Sequence, residues 1–183
     1  MNKAAFIDRD GTINVDKEYV YKIADWELIP GAIGALKKLQ KEGYLLIIIT
    51  SQSGIGRGYY SEKDFEKLTD YMLKQFSEEG ISIKKIYFCP HAPEDNCICR
   101  KPKTFLIKKA QKELYIDLKK SYVIGDKTAD IKTGKDSGCK TVLVLTGKAG
   151  KDGKYDAKPD YVAKDLYNAA NMILNIEHKK AKK

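Results

Sequence analysis

Between Cys89 and Cys99 the chain places three cysteines and a histidine, Cys89, His91, Cys97 and Cys99, and Arg100 and Lys101 follow at once. Three thiolates and an imidazole at this spacing can close a tetrahedral zinc site, and a set of four protein ligands leaves no position open for water. Zinc held this way is structural: it orders a loop with little apolar content and fixes the two cations that follow. Free core thiols and an iron–sulfur cluster are the competing readings. Cys139, just ahead of an apolar run, reads as a free core thiol. Near the N-terminus stands Asp8-Arg-Asp10-Gly-Thr. Two carboxylates this close need cations nearby, although Asp-Gly alone would equally suit a turn after a strand.

At 183 residues and 43% hydrophobic content the chain can bury a core without disulfides. One domain is expected over residues 1–177, with 178–183 a disordered basic tail. No apolar run nears the ~20 residues that span a bilayer, and Asp8 comes too early for a signal peptide. A cytoplasmic monomer with no membrane partner is expected, its cysteines reduced or metal-bound. The net charge of +9 could attract an anion or nucleic acid. The excess is mostly lysine scattered along helices, at Lys37, Lys38, Lys41, Lys108, Lys109 and Lys112, with no aromatic–arginine platform for single strands. Nucleic acid is therefore not the expected partner.

Apolar runs at residues 4–7, 44–49, 85–88, 121–124, 141–145 and 160–163 read as strands. Helices fall between them: one opening at Pro30 and stopped by Gly43, and one from Ser61, where Asp64 completes a capping signal, to about Gly80. Three more are expected: after Pro102, up to Gly138, and over about 165–176. Alternating elements with continuous Val/Ile/Leu strands predict an α/β, three-layer Rossmann-like fold, a mostly parallel sheet with helices on both faces. Gly54, Gly56 and Gly58 fit neither a Walker loop nor a dinucleotide fingerprint and read as a flexible loop. Residues 148–158, rich in Gly and Lys, read as an exposed loop.

Parallel sheets bind ligands at the carboxyl ends of their strands, and there the distinctive polar residues lie: Asp8 and Asp10, Thr50 and Ser51, the cysteine loop, then Asp126, Lys127 and Asp130. In this order Asp8-Arg-Asp10-Gly-Thr, Thr50, Lys101 and Gly125-Asp126-Lys-Thr-Ala-Asp130 resemble the four motifs of the haloacid dehalogenase superfamily. The zinc loop and Ser51-Gln-Ser-Gly-Ile-Gly-Arg-Gly narrow the likeness to its heptose-bisphosphate and histidinol-phosphate phosphatases.

The resemblance implies a phosphatase with Asp8 as nucleophile, through an aspartyl-phosphate, and Asp10 as general acid and base. Thr50 and Lys101 would hold the phosphoryl group. Mg²⁺ would sit on Asp8, the Asp10 carbonyl and Asp126, and structural Zn²⁺ on Cys89, His91, Cys97 and Cys99. Asp130 could be a ligand, orient Lys127 or cap its helix. No separate cap domain fits between the motifs, so loops must choose the substrate: Asp16, Lys17, Glu18 and Tyr19; Thr50, Ser51, Gln52 and Ser53; Arg100 and Lys101; and Lys127. The expected substrate is a phosphorylated sugar, heptose 1,7-bisphosphate, losing its 7-phosphate on the way to nucleotide-activated heptose. Its second phosphate would go to Arg100, with Lys17 or Arg57. Histidinol phosphate is the alternative, and a polynucleotide 3′-phosphate a third. Ser51 stands where the family's familiar residue is Asn, and only five residues separate His91 from Cys97. Both departures bear on specificity and not on the chemistry.

Overall fold

A computed structural model describes residues 1–181, with side chains described through residue 179. Six strands, β1 (Lys3–Ile7), β2 (Tyr44–Ser51), β3 (Ile83–Cys89), β4 (Tyr122–Gly125), β5 (Lys140–Val144) and β6 (Tyr161–Ala163), form one sheet in the order β3-β2-β1-β4-β5-β6. Every pairing is parallel. The helices are α1 (Ala32–Lys41), α2 (Ser53–Gly56), α3 (Glu62–Glu78), α4 (Phe105–Leu114), α5 (Thr128–Ser137) and α6 (Leu166–Ala181).

Residue alternation along the strands splits the core in two. Ala5 and Ile7 of β1 join Leu36 and Leu39 of α1, Met72 and Phe76 of α3, and Ala169 and Ile173 of α6. Ala4 and Phe6 face the other way, onto Leu106, Ile107 and Ala110 of α4. Both faces being covered, the strands carry the apolar runs that a half-exposed sheet would not tolerate. This is the three-layer architecture expected from the sequence.

Local rules set several boundaries. α3 starts in a capping box, Ser61 Oγ accepting from Asp64 N at 3.2 Å and Asp64 Oδ2 from Ser61 N at 3.0 Å. α5 ends at Gly138 in the left-handed region, φ 86°. α1 begins two residues after Pro30 because Gly31, φ 86°, first turns the chain. Part of the expected loop at 51–58 is the short helix α2. The tail expected to be disordered from residue 178 continues α6 as helix through Ala181; lysine and alanine both favour helix, and His178 Nε2 lies 3.2 Å from Glu42 Oε2. Lys182 and Lys183, the rest of that tail, lie outside the described residues. No helix among the described residues is long and apolar enough to cross a membrane.

The sheet order reverses direction at β1: the chain first steps to β2 and β3, then returns to β4 on the other side. A crevice opens at such a switch point, and α5 closes over its far side by packing tightly on β4 and β5. A Cβ on Gly134 would lie 2.5 Å from Thr141 Cγ2 and 2.9 Å from Val123 Cβ. Gly134→Ala is therefore expected to destabilise the fold. Overpacking costs roughly 1–3 kcal/mol, more than the ~1 kcal/mol gained by replacing glycine in a helix. The urea midpoint of the variant checks this, and an unchanged or raised midpoint would contradict the close packing.

Candidate active site

β1 hands over to Asp8, whose N–H still donates to Ile124 O of β4 at 2.9 Å. The ladder thus carries Asp8 level with the end of β4, where Gly125 precedes Asp126. Three buried carboxylates, Asp8, Asp126 and Asp130, bring ligand oxygens within 4.8 Å of one another. Two lysines answer them. Lys101 Nζ donates to Asp8 Oδ1 at 2.6 Å and to Ile49 O at 3.1 Å, and contacts Asp130 Oδ1 at 2.5 Å. Lys127 Nζ reaches across to Asp16 Oδ2 at 3.3 Å.

Charge and burial set the protonation of this group. Burial pushes Asp8 up, against the pull of Lys101, with Asp130 adding to the rise. Burial, then the neighbouring Asp8 charge, lifts Asp126 to about 8. Burial would lower Lys101, but Asp130 and Asp8 hold it above its ordinary value. Lys127 is likewise raised despite burial, by Asp8, Asp126 and Asp16.

Asp126 is the residue whose surroundings most call for a cation. Its Oδ2 accepts from Lys148 N at 2.7 Å, while its buried Oδ1 has no hydrogen-bond partner. Two glycines with positive φ crowd it. A Cβ would lie 2.6 Å from Oδ2 at Gly11 and 2.2 Å at Gly147. The carboxylate is thus cradled by backbone that only glycine allows, with one oxygen left over. Oxygen ligands with an incomplete shell fit a hard divalent ion of the Mg²⁺ type.

Asp130 is explained without that ion. Its Oδ2 accepts from Lys127 N at 3.0 Å, capping α5, and its Oδ1 holds Lys101. Of the roles open to it from the sequence, helix cap is the one its contacts supply. It orients Lys101 and not Lys127.

Asp10 lies apart from this cluster. Burial opposes its ionisation, but Arg9, Asn14 and Gln52 hold it below the ordinary carboxylate range. Arg9 Nη2 is 3.0 Å from Asp10 Oδ1, Asn14 Nδ2 3.0 Å from Oδ1, and Gln52 Nε2 3.1 Å from Oδ2. Arg9, itself buried, also donates to Val20 O at 2.6 Å, tying the loop after β1 to the site. Nothing but its position between two aspartates marks Arg9 in the sequence. Thr50 is buried at the end of β2, its Oγ1 accepting from Gln52 Nε2 at 2.7 Å.

The cysteine loop follows β3. Cys89 Sγ lies 3.4 Å from Cys97 Sγ and 3.7 Å from His91 Nδ1; Cys99 Sγ lies 3.3 Å from His91 Nδ1 and 3.5 Å from Cys97 Sγ. These are separate ligand atoms spaced like the edges of a tetrahedron, far beyond an S–S bond, and they could hold a zinc ion. The cysteines are all free thiols. Burial opposes it, yet hydrogen bonds from Cys89 and Cys99 bring Cys97 down to about 7, ready to give up its proton to a metal. Cys139 is buried in the α4 side of the core, its thiol raised by burial to about 12. The loop is tied to its neighbours: Gln52 N donates to Cys89 O and Gly56 N to Pro90 O, both at 2.8 Å.

These parts enclose a cleft of about 640 Å³. Of the residues expected to meet a substrate, Asp16, Glu18, Tyr19, Thr50, Ser51, Gln52, Ser53, Arg100, Lys101 and Lys127 line it. Lys17 does not; it turns away to Glu27 Oε2 at 2.8 Å. Arg57 is paired with Glu94 at 2.9 Å. Two further groups line the cleft that sequence reasoning passed over. Tyr60 donates to Gln52 Oε1 at 2.6 Å. The segment at 148–158, read as merely exposed, supplies Lys148, Lys151, Asp152, Lys154 and Tyr155 to the wall.

A HAD-hydrolase-like family model matches residues 98–169. The chain is similar to the D-glycero-beta-D-manno-heptose-1,7-bisphosphate 7-phosphatase of Pasteurella multocida, at 43% identity over 97% of this chain and 100% of that one. It is similar also to the D-glycero-alpha-D-manno-heptose-1,7-bisphosphate 7-phosphatase of Campylobacter jejuni, at 48% identity over 84% of this chain and 87% of that one. The crystal structure of D,D-heptose 1.7-bisphosphate phosphatase from B. bronchiseptica, complexed with magnesium and phosphate, superimposes with a TM-score of 0.86 at 28% identity. The match covers 96% of this chain and 99% of that one.

The raised Asp126 gives a test that needs no turnover. An acid whose folded pKa lies at about 8 against 3.8 unfolded keeps its proton more tightly when folded, so it weakens the fold increasingly as pH rises between those values. In protein held in Mg²⁺-free buffer without chelator, Asp126→Asn should therefore gain unfolding free energy relative to wild type from about pH 4 to about pH 8. Millimolar Mg²⁺ should raise the melting temperature of wild type and not of the variant. A pH-independent difference, or an equal Mg²⁺ response in both, would contradict this account of the carboxylate.

Proposed function

This chain belongs to the haloacid-dehalogenase-like hydrolases, in the family of the D-glycero-manno-heptose-1,7-bisphosphate 7-phosphatases, and from that premise we propose that it removes the 7-phosphate of D-glycero-D-manno-heptose 1,7-bisphosphate. The observation that carries the reading is the base of the cleft, lined by Asp8 and the Lys101 ammonium, with the partnerless Asp126 Oδ1 buried beside Asp8.

Asp8 is the nucleophile. Its carboxylate attacks phosphorus, the bond to the sugar oxygen breaks, and water later cleaves the aspartyl-phosphate. Lys101, held between Asp8 and Asp130, is positioned to bind a phosphoryl oxygen as charge develops there, and Thr50 lies beside it. Asp10 protonates the leaving oxygen and afterwards takes a proton from the attacking water. In the free protein its hydrogen bonds keep it ionised; a phosphate dianion arriving beside it raises its proton affinity. Arg9, Asn14 and Gln52 keep it aimed through both halves. Asp8, Asp126 and the Asp10 carbonyl would hold Mg²⁺, which when bound offsets phosphoryl charge. The sugar would lie against Asp16, Glu18, Tyr19, Ser51, Gln52 and Ser53, with Arg100 and Lys127 near its anionic groups.

Zinc is assigned a structural part, on Cys89, His91, Cys97 and Cys99. The loop between His91 and Cys97 has Ala92 as its one buried residue, so a metal is what would give it a fixed shape. The same reading puts the chain in the cytoplasm, where thiols stay reduced, on the route to nucleotide-activated heptose for surface glycans.

A substrate panel with Mg²⁺ decides among chemistries: both anomers of heptose bisphosphate, histidinol phosphate, and DNA bearing a 3′-phosphate. The highest kcat/KM is expected for heptose bisphosphate; a higher value for histidinol phosphate or the DNA end would overturn the assignment. Asp8→Asn should lose roughly 10⁴-fold or more in kcat with an unchanged circular dichroism spectrum, and retained turnover would remove the covalent route. Metal analysis of protein purified without added metal should find about one zinc per chain. Cys99→Ser should lose it and melt at a lower temperature, whereas a metal-free wild type would sink the zinc assignment.

A further inference from the structure

Asp152 is an acid set in a cleft wall that also carries Arg100, Lys148, Lys151 and Lys154. Its oxygens are taken by Thr128. Oδ1 accepts from Thr128 N at 2.8 Å and Oδ2 from Thr128 Oγ1 at 2.7 Å. Thr128 is the first residue of α5. A carboxylate from a loop 24 residues further along the chain therefore serves an N–H at a helix start and meets the positive end of the helix dipole. Thr128 Oγ1 in turn accepts from Tyr155 N at 3.3 Å. These are the outer ties of the loop after β5.

The inner ties fall on Asp126. Lys148 N donates to Asp126 Oδ2 and Gly150 N to Asp126 O, both at 2.7 Å. Residues 148, 150 and 152 thus run along residues 126–128 as an extension of the β4–β5 pairing beyond the strand ends. The chain between these ties has little of its own to hold it. Gly147, Gly150 and Gly153 bring no side chain, and Ala149 sits in the left-handed region at φ 51°, which is unfavourable for a residue with a Cβ. Such a conformation persists only where its surroundings impose it. On the near side Thr146 Oγ1 donates to Gly11 O at 2.6 Å. On the far side Asp152 is the side chain that ties the loop down.

We propose that Asp152 is a positioning residue for Asp126. By clamping the loop after β5 to the first turn of α5, it keeps the Lys148 and Gly150 N–H groups on Asp126. Oδ2 is thereby occupied, and the buried, partnerless Oδ1 is the oxygen left for a cation. The inference rests on the phosphatase reading above, in which Asp126 holds Mg²⁺. Metal-ligating carboxylates are oriented by the hydrogen bonds behind them, and here both donors and the clamp that holds them come from one loop. Released at Asp152, a segment hinged on three glycines gains backbone freedom, and the Lys148 N–H leaves Oδ2.

The test compares D152A, D152N and S61A with wild type as isotope-labelled protein in chelator-free buffer. D152A removes both acceptors. D152N removes the same charge but can keep both contacts: its amide oxygen accepts from Thr128 N, and its amide NH₂ donates to Thr128 Oγ1, a hydroxyl that accepts as well as donates. S61A removes the cap of α3 and controls for lost stability. Amide exchange at Lys148 and Gly150, followed by NMR, reads the clamp, and the movement of the same two signals on adding Mg²⁺ gives the dissociation constant. In D152A both amides should exchange at least about tenfold faster. Mg²⁺ should bind D152A about tenfold more weakly, the loss typical of removing a group behind a metal ligand. D152N and S61A should stay within about threefold of wild type in Mg²⁺ affinity, the screened effect of one distant charge being small. Wild-type exchange or wild-type Mg²⁺ affinity in D152A would overturn the assignment. So would equal weakening in D152N, which would make the effect one of charge alone, or in S61A, which would make it one of stability. A wild type that binds no Mg²⁺ would instead sink the metal assignment of the phosphatase reading, and the exchange rates would still decide whether Asp152 holds the loop on Asp126.

Discussion

Two carboxylates with the same charge end neighbouring parallel strands, and most of the cleft exists to make that tolerable. The β1–β4 register carries Asp8 level with the end of β4, and the turn at Gly125 delivers Asp126 beside it. Unit charges about 4 Å apart at an effective dielectric of about 20 repel by about 4 kcal/mol, a large fraction of a domain's whole stability. The protein offsets this with Lys101 and Lys127, with a backbone donor from Lys148, and with a raised proton affinity at Asp126. Each of these is a place where a cation or a phosphate can be exchanged for what is already there.

Several remote features follow from that constraint. Lys101 can be buried only because Asp8 and Asp130 both receive it, and Asp130 is held in place to serve it because, in the first turn of α5, its other oxygen accepts from Lys127 N. Lys101 comes from the end of the cysteine loop, so the order of that loop decides whether the ammonium is in place. The loop is stitched to the end of β2 and to α2 through Gln52 and Gly56, and Gln52 in turn touches Thr50, Asp10 and Tyr60. The four sulfur and nitrogen ligand atoms are thereby linked, through one glutamine, to the Asp10 carboxylate.

The layers, the strands and the strand-end residues were legible in the chain because parallel strands buried on both faces must be continuous apolar runs, and polar residues at their ends stand out against them. Asp8, Asp10, Thr50, Lys101, Asp126 and the four soft ligands were singled out that way. What escaped has a common cause: it depends on pairing between distant residues, which leaves no local period. Arg9 looks like a surface cation until its three acceptors, Asp10, Val20 and Gln52, are seen to enclose it. Lys17 looks like a substrate ligand until Glu27 takes it. Residues 148–158 have the composition of a solvated loop, and only the grip of Asp126 and Thr128 makes them a wall. The tail read as frayed because it lacks apolar residues, yet helix begun under α6's buried face continues past that face at little cost.

The separation of these two classes also says where specificity can change without harming chemistry. The carboxylates and their lysines sit on strand ends and a helix cap, where a small shift would leave a buried charge unpaired at a cost of several kcal/mol. The wall residues sit on loops whose side chains are free while their backbones are pinned. A lysine on such a loop can be lost or gained with little effect on the fold, because exposed charges contribute within about 1 kcal/mol to stability, yet it faces the same cleft as Asp8. Substitutions are therefore best tolerated by the fold on the flanks after β3 and β5, and least at the switch point between them.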